Sequence, residues 1–181
     1  MSQRQMRSKK VAFLGLMLAL ILVLVWIERL LPPLPLLPPN VKLGLSNIVV
    51  MFSLFFVGKR EAVTLVVLKA VFNMLMRGPI GGLLSLSGGL LSVLAIILVA
   101  WVSKNKASYI VLGITGAIFH NAGQLIAFCI LMQNWQLFLF YSPILLIAGT
   151  ILGTVTGTLL KVILPALQRA HLEFGGLGKR E

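Results

Sequence analysis

Apolar residues fall into six runs along the chain, at about residues 11–31, 41–57, 62–76, 83–103, 109–132 and 143–164, with short polar or glycine- and proline-bearing breaks between them. Most of these runs approach the ~20 residues that an α-helix needs to cross a bilayer. The third is shorter and is cut off by Gly78-Pro79-Ile80-Gly81-Gly82, a sequence that turns a helix rather than extends it. The pattern predicts an all-α, polytopic membrane protein with a six-transmembrane-helix bundle. Residues 1–10 form a basic N-terminus, 11–164 the membrane domain and 165–181 a basic tail. Residues 32–40 hold five of the eight prolines, which predicts an extended external loop, either a rigid spacer or a cover over the bundle.

Polar residues inside the apolar runs are few and regularly placed. Lys69, Asn73 and Arg77 recur at intervals of four, so a helix stacks them on one face. A central Lys or Arg in a membrane helix costs roughly 2.5–3.5 kcal/mol on insertion scales, so this face must meet protein, water or a solute instead of lipid. The fifth run carries His120, Asn121 and Gln124 near its middle, and the second opens with Lys42 and Asn47. Interhelical hydrogen bonding accounts for such residues in one reading. The other, which the density of polar groups favours, makes Lys69, Asn73, Arg77, His120, Asn121 and Gln124 a pocket wall, with Lys42 and Asn47 at its rim. Ser85, Ser87, Gly88, Gly89 and Ser92 gather at the start of the fourth run, which suits close packing. Glu28 and Arg29, at the end of the first run, are expected at the membrane interface. Pro143 is expected to start the last helix.

Small residues supply the packing signals. Gly149, Gly153 and Gly157 repeat the small-xxx-small spacing twice in register, and Gly15 with Ala19 repeats it on the first helix. The latter pair suits either a contact within the bundle or docking on a partner membrane protein.

Composition then removes alternatives. The chain is 59% hydrophobic and 11% charged, with a mean hydropathy of +1.02, values foreign to a soluble core. Its net charge of +12 sits singly or in pairs between the runs and forms no basic face with interleaved aromatics, which argues against nucleic acid. Most cations fall on one side of the expected bundle, which places both termini in the cytoplasm of a bacterial cell whose plasma membrane holds the chain. The sequence contains no Asp, which excludes Asp-rich magnesium–diphosphate chemistry and leaves proton or sodium coupling few residues. No Walker A motif or serine–histidine–acid set can be assembled. His120 lacks metal-binding neighbours in the sequence, and Cys129, the only cysteine, suits packing. The expectation is a non-enzyme without metal or cofactor that binds a small molecule and draws energy from a partner.

Four stretches, Lys42-Leu43-Gly44-Leu45-Ser46-Asn47, Gly58-Lys59-Arg60-Glu61-Ala62, Ser85-Leu86-Ser87-Gly88-Gly89 and His120-Asn121-Ala122-Gly123-Gln124, resemble the Gx transporter family, labelled heptaprenyl diphosphate synthase component I. That family is similar in size and layout to the substrate-binding S components of energy-coupling factor (ECF) transporters. The resemblance implies capture of a vitamin-like solute near the outer face, with a flavin as the first candidate. It also implies docking through small residues of the first helix, here Gly15 and Ala19, onto a transmembrane coupling protein driven by two ATPases. The family label supplies an alternative: an accessory membrane protein or carrier in isoprenoid or quinone precursor metabolism.

Overall fold

The computed structural model describes residues 3–30 and 45–170, and every regular element among these is a helix. The helices are α1 (Gln3–Leu30), α2 (Asn47–Phe56), α3 (Lys59–Val102), α4 (Tyr109–Met132) and α5 (Gln136–Ala170). Four of them, α1, α3, α4 and α5, are long and apolar enough to cross a membrane. The outer surface agrees with that reading, because Val71, Leu75, Leu98, Leu139, Ile147 and Val162 are all exposed. A water-soluble protein rarely leaves so large an apolar surface uncovered.

Continuous helix over the 44 residues of α3 would be about 66 Å long, more than twice the ~30 Å hydrocarbon core. The helix does not run straight. Gly78 adopts φ 76° and ψ 177°, which breaks the rod immediately before Pro79. A Cβ added at Gly89 would lie 2.6 Å from Val66 Cγ1, and one at Gly82 would lie 2.6 Å from Met74 Cβ. In a straight helix residues 66 and 89 would be about 35 Å apart. The chain therefore folds back at Gly78 into an antiparallel hairpin with arms 59–77 and 79–102. This is the reversal that the glycine- and proline-rich sequence predicts.

Glycines set the remaining close approaches. Gly113 of α4 packs against Gly153 and Gly157 of α5, and Gly149 sits against the backbone of Ile118. The glycine stripe of α5 is thus used within the chain, which brings α4 and α5 together over much of their length. Gly123 of α4 approaches Ser87 and Gly88 of the second α3 arm in the same way. Among the described residues, helix α1 packs on α2 and α3 only. Its buried stripe of Phe13, Met17, Ile21 and Val25 recurs at intervals of four and joins Val49, Phe52, Leu65 and Val66 in the main apolar cluster. On its outer face Gly15 and Ala19 are exposed, and a Cβ added at Gly15 would touch nothing within 4 Å.

The two ends of the bundle differ in charge. Lys10 pairs with Glu61 at one end, where Lys59, Arg60, Lys104 and Lys106 also lie. The Gly78 turn, Glu28 and the 133–135 turn lie at the other. Trp26, Trp101 and Trp135 are exposed near rod ends, as interfacial tryptophans are.

Three boundaries differ from the sequence expectation. Helix α5 begins at Gln136 and carries both Pro143 and Pro165 inside it, so neither proline marks a terminus. Each removes one backbone donor, which apolar helices tolerate when neighbouring groups re-satisfy the freed carbonyl. Consequently the expected tail is helical as far as Ala170. The second apolar run appears as the 10-residue α2, too short alone to cross; residues 41–44 of that run and the proline-rich loop 32–40 lie outside the described residues.

Gly78→Ala forces a side chain into a positive-φ, extended-ψ backbone that is essentially glycine's alone, at a cost of roughly 1–3 kcal/mol. It should lower the thermal unfolding midpoint in detergent. Gly15→Ala should leave that midpoint unchanged or raise it, since alanine is the better helix former and the position is open.

Candidate functional site

The stripe on the first α3 arm meets the rest of the bundle at a narrow cavity. Val25 and Glu28 of α1, Lys69, Asn73 and Arg77 of the first arm, Gly81, Leu84 and Ser85 of the second, and His120 and Gln124 of α4 line it. Successive stripe residues are one turn, about 6 Å, apart along the helix. The hairpin brings Ser85 opposite Asn73, and the α3–α4 glycine contacts bring His120 and Gln124 up to the same space. A Cβ at Gly88 would lie 2.7 Å from the His120 carbonyl and 2.8 Å from Gln124 Cγ, so this glycine keeps α4 close.

Burial makes the cluster costly. Lys69 and Asn73 are each 4% exposed, His120 is 2% and Gln124 3%. Each must be satisfied inside the protein, because lipid offers no hydrogen-bonding groups. Lys69 Nζ donates to Asn47 Oδ1 at 2.9 Å, joining the stripe to the start of α2. Asn73 Nδ2 donates to the Lys69 carbonyl at 3.1 Å and to Ser85 Oγ at 3.0 Å. Asn73 Oδ1 and His120 Nδ1 are buried with no hydrogen-bond partner among the described residues. A lysine amine, a guanidinium, two amides, an imidazole and a carboxyl group therefore share one space among apolar rods.

That space is narrow. About 20 Å³ is open to the centres of water-sized groups, room for about one water. A second, smaller void lies deeper, lined by Asn47, Ser92, Gly113, Gly116 and Thr156 among apolar neighbours. Asn47 borders this void and also accepts from Lys69, so one hydrogen bond separates the two spaces.

Of the residues expected at a pocket, Lys69, Asn73, Arg77, His120 and Gln124 line the cavity, and Asn47 holds Lys69 from behind. Asn121 does not join them. Its Nδ2 donates to the Leu145 carbonyl of α5 at 3.4 Å, because it lies about 100° around α4 from His120. Lys42 lies outside the described residues.

Glu28 was expected at the interface but is only 8% exposed and lines the cavity. Its Oε1 accepts from the Leu45 backbone N–H at 2.7 Å, tying the end of α1 to the residues preceding α2. The usable signal is its position three residues after Val25, which continues the buried face of α1. Ser85, read from sequence as a packing residue, also reaches the cavity.

Asn47→Leu should destabilise the fold by about 1–3 kcal/mol, the range for a buried polar group that loses its partner. Asn121→Ala should cost only ~0.6 kcal/mol, typical of an interhelical hydrogen bond in a membrane, and should leave the cavity intact. Thermal unfolding of both variants in matched detergent checks the ordering.

Neither a curated protein nor a solved structure matches the chain. A family model does match, over residues 17–163, a range that holds every residue lining the two cavities. On that match the chain belongs to the heptaprenyl diphosphate synthase component I family.

Proposed function

We propose that this chain is the solute-capturing membrane subunit, or S component, of an ECF-type ATP-driven importer. Its solute is a vitamin-like small molecule, with a flavin as the first candidate. One observation carries the reading: Lys69, Asn73, Arg77, His120, Gln124 and Glu28 converge from three helices on one buried cavity. A purely structural polar cluster has no need for two cations and a carboxylate at this depth, given what each costs in lipid.

Six crossings with both termini in the cytoplasm fit the two α3 arms and the charge difference between the ends of the bundle. On that topology the cavity lies in the external half, where a captured solute first arrives. Admitting a vitamin-sized ring requires one wall to move, and α1, which among the described residues packs on α2 and α3 alone, is the wall with the fewest neighbours. The exposed Gly15–Ala19 face of the same helix suits close docking on a coupling protein, which in turn would contribute two ATPases. The chain itself is no enzyme in this reading.

The family description supports a second reading, an accessory membrane protein or carrier for an isoprenoid or quinone precursor beside a prenyl diphosphate synthase. Without Asp, the chain is not the catalytic subunit of such an enzyme. Lys69 and Arg77 would instead hold a diphosphate.

Affinity capture of the full chain from native membranes separates the two. Co-purification of a transmembrane coupling protein with two ATPases is expected, and Gly15→Leu with Ala19→Leu should abolish it without loss of fold. A soluble prenyl synthase recovered in their place would transfer the assignment to the second reading.

A further inference from the structure

Asn73 is held in an orientation that exposes a specific chemical demand. Its Nδ2 donates to the Lys69 carbonyl and to Ser85 Oγ, at 3.1 and 3.0 Å. Exchanging the amide nitrogen and oxygen would set an oxygen against the Lys69 carbonyl, acceptor against acceptor, so the orientation is fixed. The consequence is that Oδ1 is an acceptor, buried and without a hydrogen-bond partner among the described residues. It belongs to a side chain that lines the cavity. Buried polar groups are rarely left unpaired, and each that is calls for a donor, from a solute or from water. Glu28 adds a second acceptor group to the same lining, while Lys69 and Arg77 add positive charge.

We infer that the cavity recognises a neutral ring amide or ureide edge, an N–H beside a carbonyl, with Asn73 Oδ1 receiving the N–H and the Lys69–Arg77 side meeting the carbonyl. This rests on the capture reading and narrows it to one solute class. The other simple classes fit less well. A diphosphate or carboxylate would suit the cations but would place acceptor against Asn73 Oδ1 and anion against Glu28. An ammonium or amidinium would suit Asn73 and Glu28 but would be opposed by Lys69 and Arg77. A neutral group that carries donor and acceptor side by side meets both halves of the lining.

The test uses the full chain in lipid nanodiscs and equilibrium binding of five probes: riboflavin, uracil, the N3-methyl counterpart of each, and farnesyl diphosphate. The inference predicts that riboflavin or uracil binds and that methylating its N3–H weakens binding about 10-fold or more, the range for a lost buried hydrogen bond. In Asn73→Leu the parent and methylated probes should bind equally weakly, since the double-mutant cycle removes the one pairing at issue. Because Asn73 also holds Ser85, the comparison of methylated and parent probes on the wild-type chain decides the matter even if the variant folds poorly. Equal binding of parent and methylated probes overturns the inference. Binding of farnesyl diphosphate without either ring amide overturns it and leaves solute capture standing. Failure of all five probes overturns the ring-amide inference and leaves the capture reading to the partner-capture experiment above.

Discussion

A protonated amine one turn from an amide and two turns from a guanidinium, all inside an apolar helix, is the constraint to which the rest of the bundle answers. Lys69 cannot face lipid and cannot be left without acceptors. Its bond to Asn47 draws α2 against the first α3 arm, and the Asn73–Ser85 bond closes the second arm over the first. Glycines at 88 and 123 then admit α4 close enough to add His120 and Gln124 to the same space. Helix α1 completes the enclosure with Val25 and Glu28. Polar groups that would be a liability singly become tolerable because the hairpin gathers them.

The division of labour between helices follows from packing. Helices α4 and α5 are joined by glycine-on-backbone contacts over several turns, a mode that depends on dispersion and close approach rather than on water exclusion. Helix α1 uses a single stripe of Phe13, Met17, Ile21 and Val25 and leaves its opposite face bare. Among the described elements a tightly packed pair thus stands beside a lightly attached rod, and local opening follows the least-packed element.

Much of this was legible in the residues. The apolar runs specify membrane helices, the intervals of four specify a polar face on α3, and Gly78-Pro79 specifies the reversal. The shared face of His120 and Gln124 was legible too, and the same 3.6-residue geometry turns Asn121 toward α5. What escaped the sequence depended on tertiary context. Glu28 beside Arg29 looks like any interfacial pair until the buried stripe of α1 is seen to continue into it. Pro143 and Pro165 suggest boundaries by local chemistry, yet α5 runs through both. Solute capture is the class proposed from these polar residues, whereas the orphaned acceptor on Asn73 appears only once its amide nitrogen is seen to be committed elsewhere.

Native mass spectrometry of the gently purified full chain tests the central claim, that this cavity holds a solute, most directly. The account predicts a co-purifying small molecule on the wild-type chain and its absence from a folded Lys69→Met, Arg77→Ala double variant. A molecule retained in that variant, or identical ligand-free spectra for both proteins, would contradict it.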